Sequence, residues 1–173
     1  MSGAPATGKT TLAERVATSL RLPLLARDDL KEAIGDRLGA PGDVAESQRL
    51  GLAAYAALYV AARRVLEAGT GVVIESNFRR GRSEGELRPL LAHASARLVH
   101  CAAELATIEE RYRGRHLRGE RHPAHRDAER ADALVEDLAA GLFEPVDLEC
   151  PCLVVHTDAG YRPGMGEILA FVA

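Results

Sequence analysis

An α/β fold with a doubly wound parallel sheet is predicted for this chain by three observations. Short apolar runs alternate with stretches of helical periodicity along its whole length. The run Gly71-Val72-Val73-Ile74-Glu75 is apolar and branched up to its last residue, as a strand buried on both faces requires. The first residues, Gly3-Ala4-Pro5-Ala6-Thr7-Gly8-Lys9-Thr10, fill the spacing G-x-x-x-x-G-K-[ST] directly before a helical pattern. With right-handed crossovers, such a sheet gathers its ligands at the carboxyl ends of its strands. Residues 1–173 are expected to form a single domain, and no internal repeat is visible.

The glycine-rich start sets the chemistry. Gly3 and Gly8 let the backbone fold back so that its N–H groups converge on one concavity, while Lys9 reaches the β and γ phosphates of a nucleotide. The Thr10 hydroxyl can take a place on Mg²⁺. From Thr11 to Leu20, the residues Leu12, Val16 and Leu20 fall on one helical face, so the loop hands the phosphates to a helix N-terminus. Gly3, Ala4, Pro5, Ala6, Thr7, Gly8, Lys9, Thr10 and Thr11 are therefore the expected nucleotide-binding segment. A buried strand should precede such a loop, yet only Met1 and Ser2 stand there. The expectation is a start codon placed late, with about six further apolar residues upstream, because an empty central slot leaves ladder groups unpaired on both neighbours.

The remaining elements follow in order. Leu22 to Ala26 reads as a strand that ends at Arg27-Asp28-Asp29, with Asp28 or Asp29 capping a helix through Leu30 and Ile34. Gly35 to Asp43 reads as a turn-rich linker. Val44 to Ala68 is a long helix rich in Ala and Leu whose polar side is thin, so it is expected to be mostly covered. After the strand ending at Glu75 comes a helix from Glu84 to Ala94, a strand from Arg97 to Cys101 and a helix from Glu104 to Tyr112. A helix from Ala128 to Ala140, a strand from Cys152 to His156 and a closing helix from Met165 to Ala173 complete the pattern.

Composition narrows the function classes. A net charge of −3 and a pI near 6.1 argue against coating of nucleic acid and leave room only for a local basic groove. Aromatic residues make up 4%, with no Trp, so base-stacking platforms are scarce. The apolar stretch Gly51 to Ala62 is interrupted by Arg63 and Arg64 and is too short to span a membrane. The first residues build the phosphate loop rather than a signal peptide, and the three cysteines read as reduced thiols. A cytoplasmic protein, monomer or homodimer, with no membrane partner is expected.

Phosphoryl transfer needs a neutralised γ-phosphate, a metal site and an oriented nucleophile. Asp28, at the end of the second strand, is placed to accept or orient an acceptor hydroxyl, or else to cap the following helix. Asp29 reads as a cap or a salt-bridge partner of Lys31. Glu75 ends a hydrophobic strand, where an acid holding Mg²⁺ with Thr10 is expected. Asn77, Arg79, Arg80 and Arg82 follow in a polar loop suited either to substrate recognition or to plain solvation. Arg111, Arg113, Arg115 and Arg118 occur without an acid between them, which fits an anion-clamping lid over about residues 111–127, with Gly114 and Gly119 to let it move. His116, His122 and His125 lack metal-site spacing and read as lid surface or substrate contacts.

With these residues in place, the chain resembles the P-loop kinases of the small-molecule and polynucleotide type, the AAA-like group containing chloramphenicol phosphotransferase, zeta toxins and the 5′-kinase domain of bacteriophage polynucleotide kinase. The resemblance rests on Gly3 to Thr11, on Ala26-Arg27-Asp28-Asp29-Leu30-Lys31, on Val73-Ile74-Glu75-Ser76-Asn77-Phe78, and on Cys101 to Arg115. It implies ATP and Mg²⁺ as cofactors, Lys9 and Asp28 as catalytic residues, and Lys31 as a substrate-binding residue. A lid arginine closing on the transferring phosphate would fall at Arg111 or Arg115. Glu75 stands where the family commonly has aspartate. No Asn-Lys-x-Asp sequence occurs, which favours ATP over GTP. The implied function is an ATP-dependent kinase acting on the hydroxyl of a small-molecule acceptor. The alternatives are a polynucleotide 5′-kinase, a toxin-like kinase of a sugar nucleotide and a non-catalytic ATP-binding regulatory module.

Overall fold

Parallel pairing brings the carboxyl ends of the strands to one edge of the molecule. The structure is a computed structural model and describes residues 1–117, 122–126 and 131–173. In chain order its elements are β1 (Ser2–Gly3), α1 (Lys9–Leu20), β2 (Leu24–Ala26), α2 (Arg27–Leu38), α3 (Val44–Glu67), β3 (Val73–Glu75) and α4 (Glu84–Leu91). Then come β4 (Leu98–Ala102), α5 (Leu105–Leu117), a 3-10 turn at Pro123–His125, α6 (Ala131–Ala139), β5 (Cys152–His156) and α7 (Met165–Val172).

One parallel sheet has the order β1-β4-β5 and a second pairs β2 with β3. Met1 joins them. Its α-amino group donates to the Ile74 carbonyl at 2.8 Å, and its carbonyl accepts from the Ser76 N–H at 3.3 Å. The strands therefore run across the molecule as β2-β3-β1-β4-β5. Register sets Ala26 opposite Glu75, Gly3 opposite Cys101 and Ala102 opposite His156, so the residues that follow these positions share one rim.

A strand does enter the phosphate loop, but it has only two residues, Ser2 and Gly3, paired with His100 and Cys101. A cavity of about 240 Å³ lies beside it, walled by Met1, Val16, Val73, Phe78, Leu98 and Val99. Leu12 and Val16 of α1 pack on Val99, Cys101, Val155 and Ile168, because their helical spacing turns one face to the sheet. On a second core, Leu58 and Ala62 of α3 meet Phe78, Leu87 and Leu90. A third, smaller cluster joins Ala4 and Ala6 of the phosphate loop to Ile108, Leu134 and Phe143.

Four local expectations are corrected. Gly35 does not begin a linker but lies buried inside α2, which continues to Leu38. An added Cβ on Gly35 would stand 3.0 Å from the Ala124 Cβ, so the glycine serves a close approach to residues 122–126. Neither Asp28 nor Asp29 caps α2: the N-cap is Ala26, and both acids occupy the first turn, where the helix dipole favours them. The helix expected to end at Tyr112 continues to Leu117, so the basic stretch begins as helix. Finally, α3 is not mostly covered, since Leu52 and Val60 are exposed on it.

Candidate phosphate and acceptor site

The loop between β1 and α1 owes its path to three residues with positive φ: Gly3 at 141°, Ala6 at 64° and Gly8 at 75°. At Gly3 an added Cβ would collide with the Cys101 carbonyl, so close strand contact excludes any side chain. Gly8 is the N-cap of α1 and contributes no side-chain bond to the helix end. The first-turn N–H groups are thus not claimed by a capping side chain, as an anion site needs. Thr7 braces the loop by donating its hydroxyl to the Ala4 carbonyl at 2.8 Å, and Thr157 donates to the Thr7 carbonyl at 2.8 Å.

Lys9 is buried, with Nζ 3.3 Å from the Ala4 carbonyl and 3.7 Å from Glu75 Oε1. Glu75 is 3% exposed and accepts from the Thr10 hydroxyl at 3.3 Å through Oε2. The structure therefore brings Lys9, Thr10 and Glu75 together. A hydroxyl and a carboxylate are the hard oxygen donors that suit Mg²⁺. Among the described residues no group of three or more His, Cys, Asp or Glu gathers at one point, so the donor set fits an ion held largely by phosphate and water.

Asp28 lies two residues beyond the end of β2, half-buried and 3.1 Å from the Arg27 guanidinium. Asp29 beside it is exposed, and desolvation followed by the Asp28 charge raises its carboxyl above the usual range. Next to the phosphate loop is a cavity of about 620 Å³ that includes Pro5, Arg27, Lys31, Tyr55, Asn77 and Arg79 in its wall. Lys31 is buried and donates to Ser47 Oγ at 2.7 Å, and Ser47 donates to the Ala124 carbonyl at 2.7 Å. The Asn77 carbonyl accepts from the Tyr55 hydroxyl at 3.2 Å, whereas its side-chain Oδ1 is buried with no hydrogen-bond partner. Arg79 is not solvated surface: its guanidinium donates to Asp137 and lies 5.4 Å over the Phe143 ring. Arg80 and Arg82 are exposed.

Of the arginines expected in a lid, Arg111 reaches the phosphate loop. Its guanidinium donates to the Thr157 carbonyl at 2.7 Å, to the Asp158 carbonyl at 3.1 Å and, at the limit of bonding, to the Ala6 carbonyl at 3.5 Å. Arg113 points away and pairs with Glu109 at 3.4 Å on the exposed face of α5, while Arg115 is half-buried on the same helix. Arg118, Gly119 and Arg121 lie outside the described residues, as does the side chain of His116. His122 and His125 are not free lid surface: they bond to Asp36 at 3.0 Å and Glu32 at 2.8 Å, and so dock the 3-10 turn on α2.

Residues 1–158 match the AAA domain family. The chain belongs to this family. A solved structure described as a "putative kinase" from Chloroflexus aurantiacus J-10-fl is similar to this AAA domain at 34% identity and a TM-score of 0.82, covering 98% of this chain and 92% of that one. An unliganded sugar kinase structure from Janibacter sp. HTCC2649 shares the fold at 17% identity and a TM-score of 0.61, covering 98% and 90% of the two chains. No curated protein matches. Among the described residues of the AAA domain, no helix is long and apolar enough to cross a membrane.

Three residues of the AAA domain at this site, Arg27, Tyr55 and Thr157, received no role from the sequence motifs. Arg27 lies 5.0 Å over the Tyr55 ring and beside Gly51, where an added Cβ would stand 3.2 Å from its guanidinium. Tyr55 was visible only as a polar tip within an apolar helix, a weak pointer to a wet boundary. Thr157 links the loop, β4 and Arg111, and its one signal is its position directly after the last strand.

Proposed function

We propose that this AAA domain is an ATP- and Mg²⁺-dependent kinase that transfers the γ-phosphoryl group to a hydroxyl of a small molecule. The observation that carries this reading is the position of the 620 Å³ cavity, which shares Pro5 with the phosphate loop. A nucleotide switch or motor has no need of a second compartment there, whereas a kinase must seat an acceptor beside the phosphates. In this reading residues 1–173 act as one doubly wound kinase domain.

Lys9 and the loop N–H groups bind the β and γ phosphates, and Thr10 and Glu75 would hold Mg²⁺, which supplies charge neutralisation when bound. Asp28 accepts the proton of the acceptor hydroxyl as its oxygen forms the new bond to phosphorus and the bridging oxygen leaves with ADP. Lys31, Asn77 and Arg79 orient the acceptor in the cavity. Arg111 and Arg115, in a lid over about 111–127, meet charge developing on the transferred group.

The test pairs ATP calorimetry with acceptor-dependent ADP release across fractions of a metabolite extract. A kinase binds ATP and releases ADP in response to at least one fraction. ATP binding without release from any fraction would instead favour a regulatory nucleotide-binding module, and absence of ATP binding would overturn both.

A further inference from the structure

Asp28, the base in the kinase reading, stands beside an arginine that two other parts of the fold hold in place. Arg27 opens α2, with Nη2 3.1 Å from Asp28 Oδ1. An arginine in the first turn of a helix is free to extend into water. This one instead lies 5.0 Å over the Tyr55 ring of α3, and its side chain is only 13% exposed. Tyr55 is itself fixed. Its hydroxyl donates to the Asn77 carbonyl at 3.2 Å and accepts from Ser76 Oγ at 2.8 Å, while its ring stacks on Tyr59 at 5.9 Å between centroids. Room for the guanidinium comes from Gly51, one turn earlier on α3, where an added Cβ would stand 3.2 Å from Arg27 Nη1. Glycine weakens a helix interior relative to alanine, so its presence at this contact serves the close approach.

Ser76 directly follows Glu75, so an unbroken run of contacts leads from the end of β3 through Ser76, Tyr55 and Arg27 to Asp28. An aspartate at the start of a helix can turn its carboxylate among several rotamers. Transfer needs that carboxylate within hydrogen-bond reach of the attacking hydroxyl, in one geometry. A guanidinium that is itself held against a ring narrows the choice, which a mobile lysine would not do. We infer that Arg27 is a positioning residue: clamped on Tyr55 and admitted by Gly51, it holds the Asp28 carboxylate in one orientation relative to Glu75 without touching the reacting atoms. This deepens the kinase reading and rests on it, since there Asp28 receives the acceptor's proton. Arg27 also walls the 620 Å³ cavity, so holding Asp28 has to be told apart from binding the acceptor directly.

The experiment is a double-mutant cycle on the full chain, with γ-labelled ATP, Mg²⁺ and serial dilutions of the most active metabolite-extract fraction as the acceptor. Arg27→Gln should lower the maximal rate about 10- to 100-fold, the scale of a misplaced catalytic group. The half-saturating concentrations of ATP and of the fraction should stay within about twofold, because the lost interaction acts only in the transition state. Once Asp28→Asn has removed the group being held, Arg27→Gln should cost no more than about a further twofold. An equal loss in both backgrounds would make Arg27 a support of the fold or a direct contact, and would overturn the inference. So would a raised half-saturating concentration of the fraction at an unaltered maximal rate, which would make Arg27 an acceptor-binding residue.

Gly51→Ala guards against an Arg27 variant that simply fails to fold. Alanine is the better helix former, so the melting temperature should hold or rise, while the added Cβ displaces the guanidinium. The maximal rate should fall about threefold or more, again without a further loss in the Asp28→Asn background. A native rate in Gly51→Ala would show that the guanidinium needs no fixed place and would overturn the clamp. Transfer to no fraction sinks the kinase reading and this inference together. Asp28-dependent transfer with additive losses sinks this inference alone.

Discussion

Glu75 and Lys9 face each other behind the phosphate loop, Oε1 3.7 Å from Nζ, with both side chains almost wholly buried. The other oxygen of the same carboxylate accepts from Thr10, so one acid touches both residues that the loop spacing assigns to phosphate and metal. In a Glu75→Gln variant the buried Lys9 charge loses that carboxylate. The expected result is a loss of about 3 to 5 kcal/mol of ligand-free stability, measured by denaturant unfolding. Saturating ATP should narrow the gap, since phosphate takes over the pairing of Lys9, and the Mg²⁺ dependence of ATP affinity should flatten. An unchanged unfolding midpoint together with unchanged Mg²⁺ dependence would remove Glu75 from the site.

Arg111 presents a different case, because its guanidinium already bridges the Thr157 and Asp158 carbonyls and approaches Ala6. Lysine keeps the charge but cannot span two carbonyls with a planar fork. Arg111→Lys should therefore lower both turnover and the melting temperature, while Arg113→Lys, on an exposed pair with Glu109, should change stability by no more than a few tenths of a kcal/mol. Thermal unfolding of the two variants side by side checks this ordering. Equal melting temperatures would mean that the carbonyl bonds of Arg111 contribute nothing net.

These residues also mark what could be read from the chain before its fold was known. Gly3, Gly8, Lys9 and Thr10 act within one loop, so spacing alone exposes them, and Glu75 is visible because an apolar strand ends on an acid. The last strand, Cys152–His156, lies where its run of branched residues put it. Gly35 was misread because a glycine that opens a turn and one that admits a neighbouring Cβ look alike in sequence. The docking of His122 and His125 on Asp36 and Glu32 joins residues more than eighty positions apart, and no local pattern encodes such a pair. The same holds for Arg27 against Tyr55: the cavity beside the phosphate loop is made by tertiary packing and has no one-dimensional signature.

His100 makes stability depend on pH. Its ring lies buried beside Ser2, whose hydroxyl is 2.9 Å from Nδ1, and burial lowers its pKa to about 4. The unfolded chain, with a His pKa near the ordinary 6.5, takes up a proton that the folded chain refuses. Stability present above that pH is therefore lost as the pH falls toward 4, by at most roughly 3 kcal/mol. Denaturant unfolding at pH 7 and pH 5 should show the loss, and His100→Gln should reduce it. An identical pH dependence in the variant would place the proton uptake elsewhere.

A substitution at Asp28 tests whether this AAA domain is a kinase or only binds nucleotide. Lys9, Thr10 and the loop backbone can hold ATP without it, and it lies in the first turn of α2 rather than in the loop. Asp28→Asn keeps the shape of the side chain but cannot take a proton at neutral pH, and loss of a general base typically costs about 10²- to 10⁴-fold. The Arg27–Asp28 pair is also weakened, so the variant's melting temperature must be measured first; a half-buried pair of this kind accounts for about 1 kcal/mol or less. The loss should fall on turnover more than on the Michaelis constant for ATP, because the missing interaction is made with the attacking hydroxyl at the transition state. The neighbouring acid supplies the control. Asp29 is exposed, and its carboxyl is held high partly by the Asp28 charge, so in Asp28→Asn it ionises more readily and gains no ability to replace its neighbour as a base of raised pKa. Asp29→Asn should accordingly lose little activity. Transfer that survives in Asp28→Asn but fails in Asp29→Asn would move the base by one residue. Survival in both would shift the chemistry to Glu75 or to attack assisted by the substrate's own phosphate.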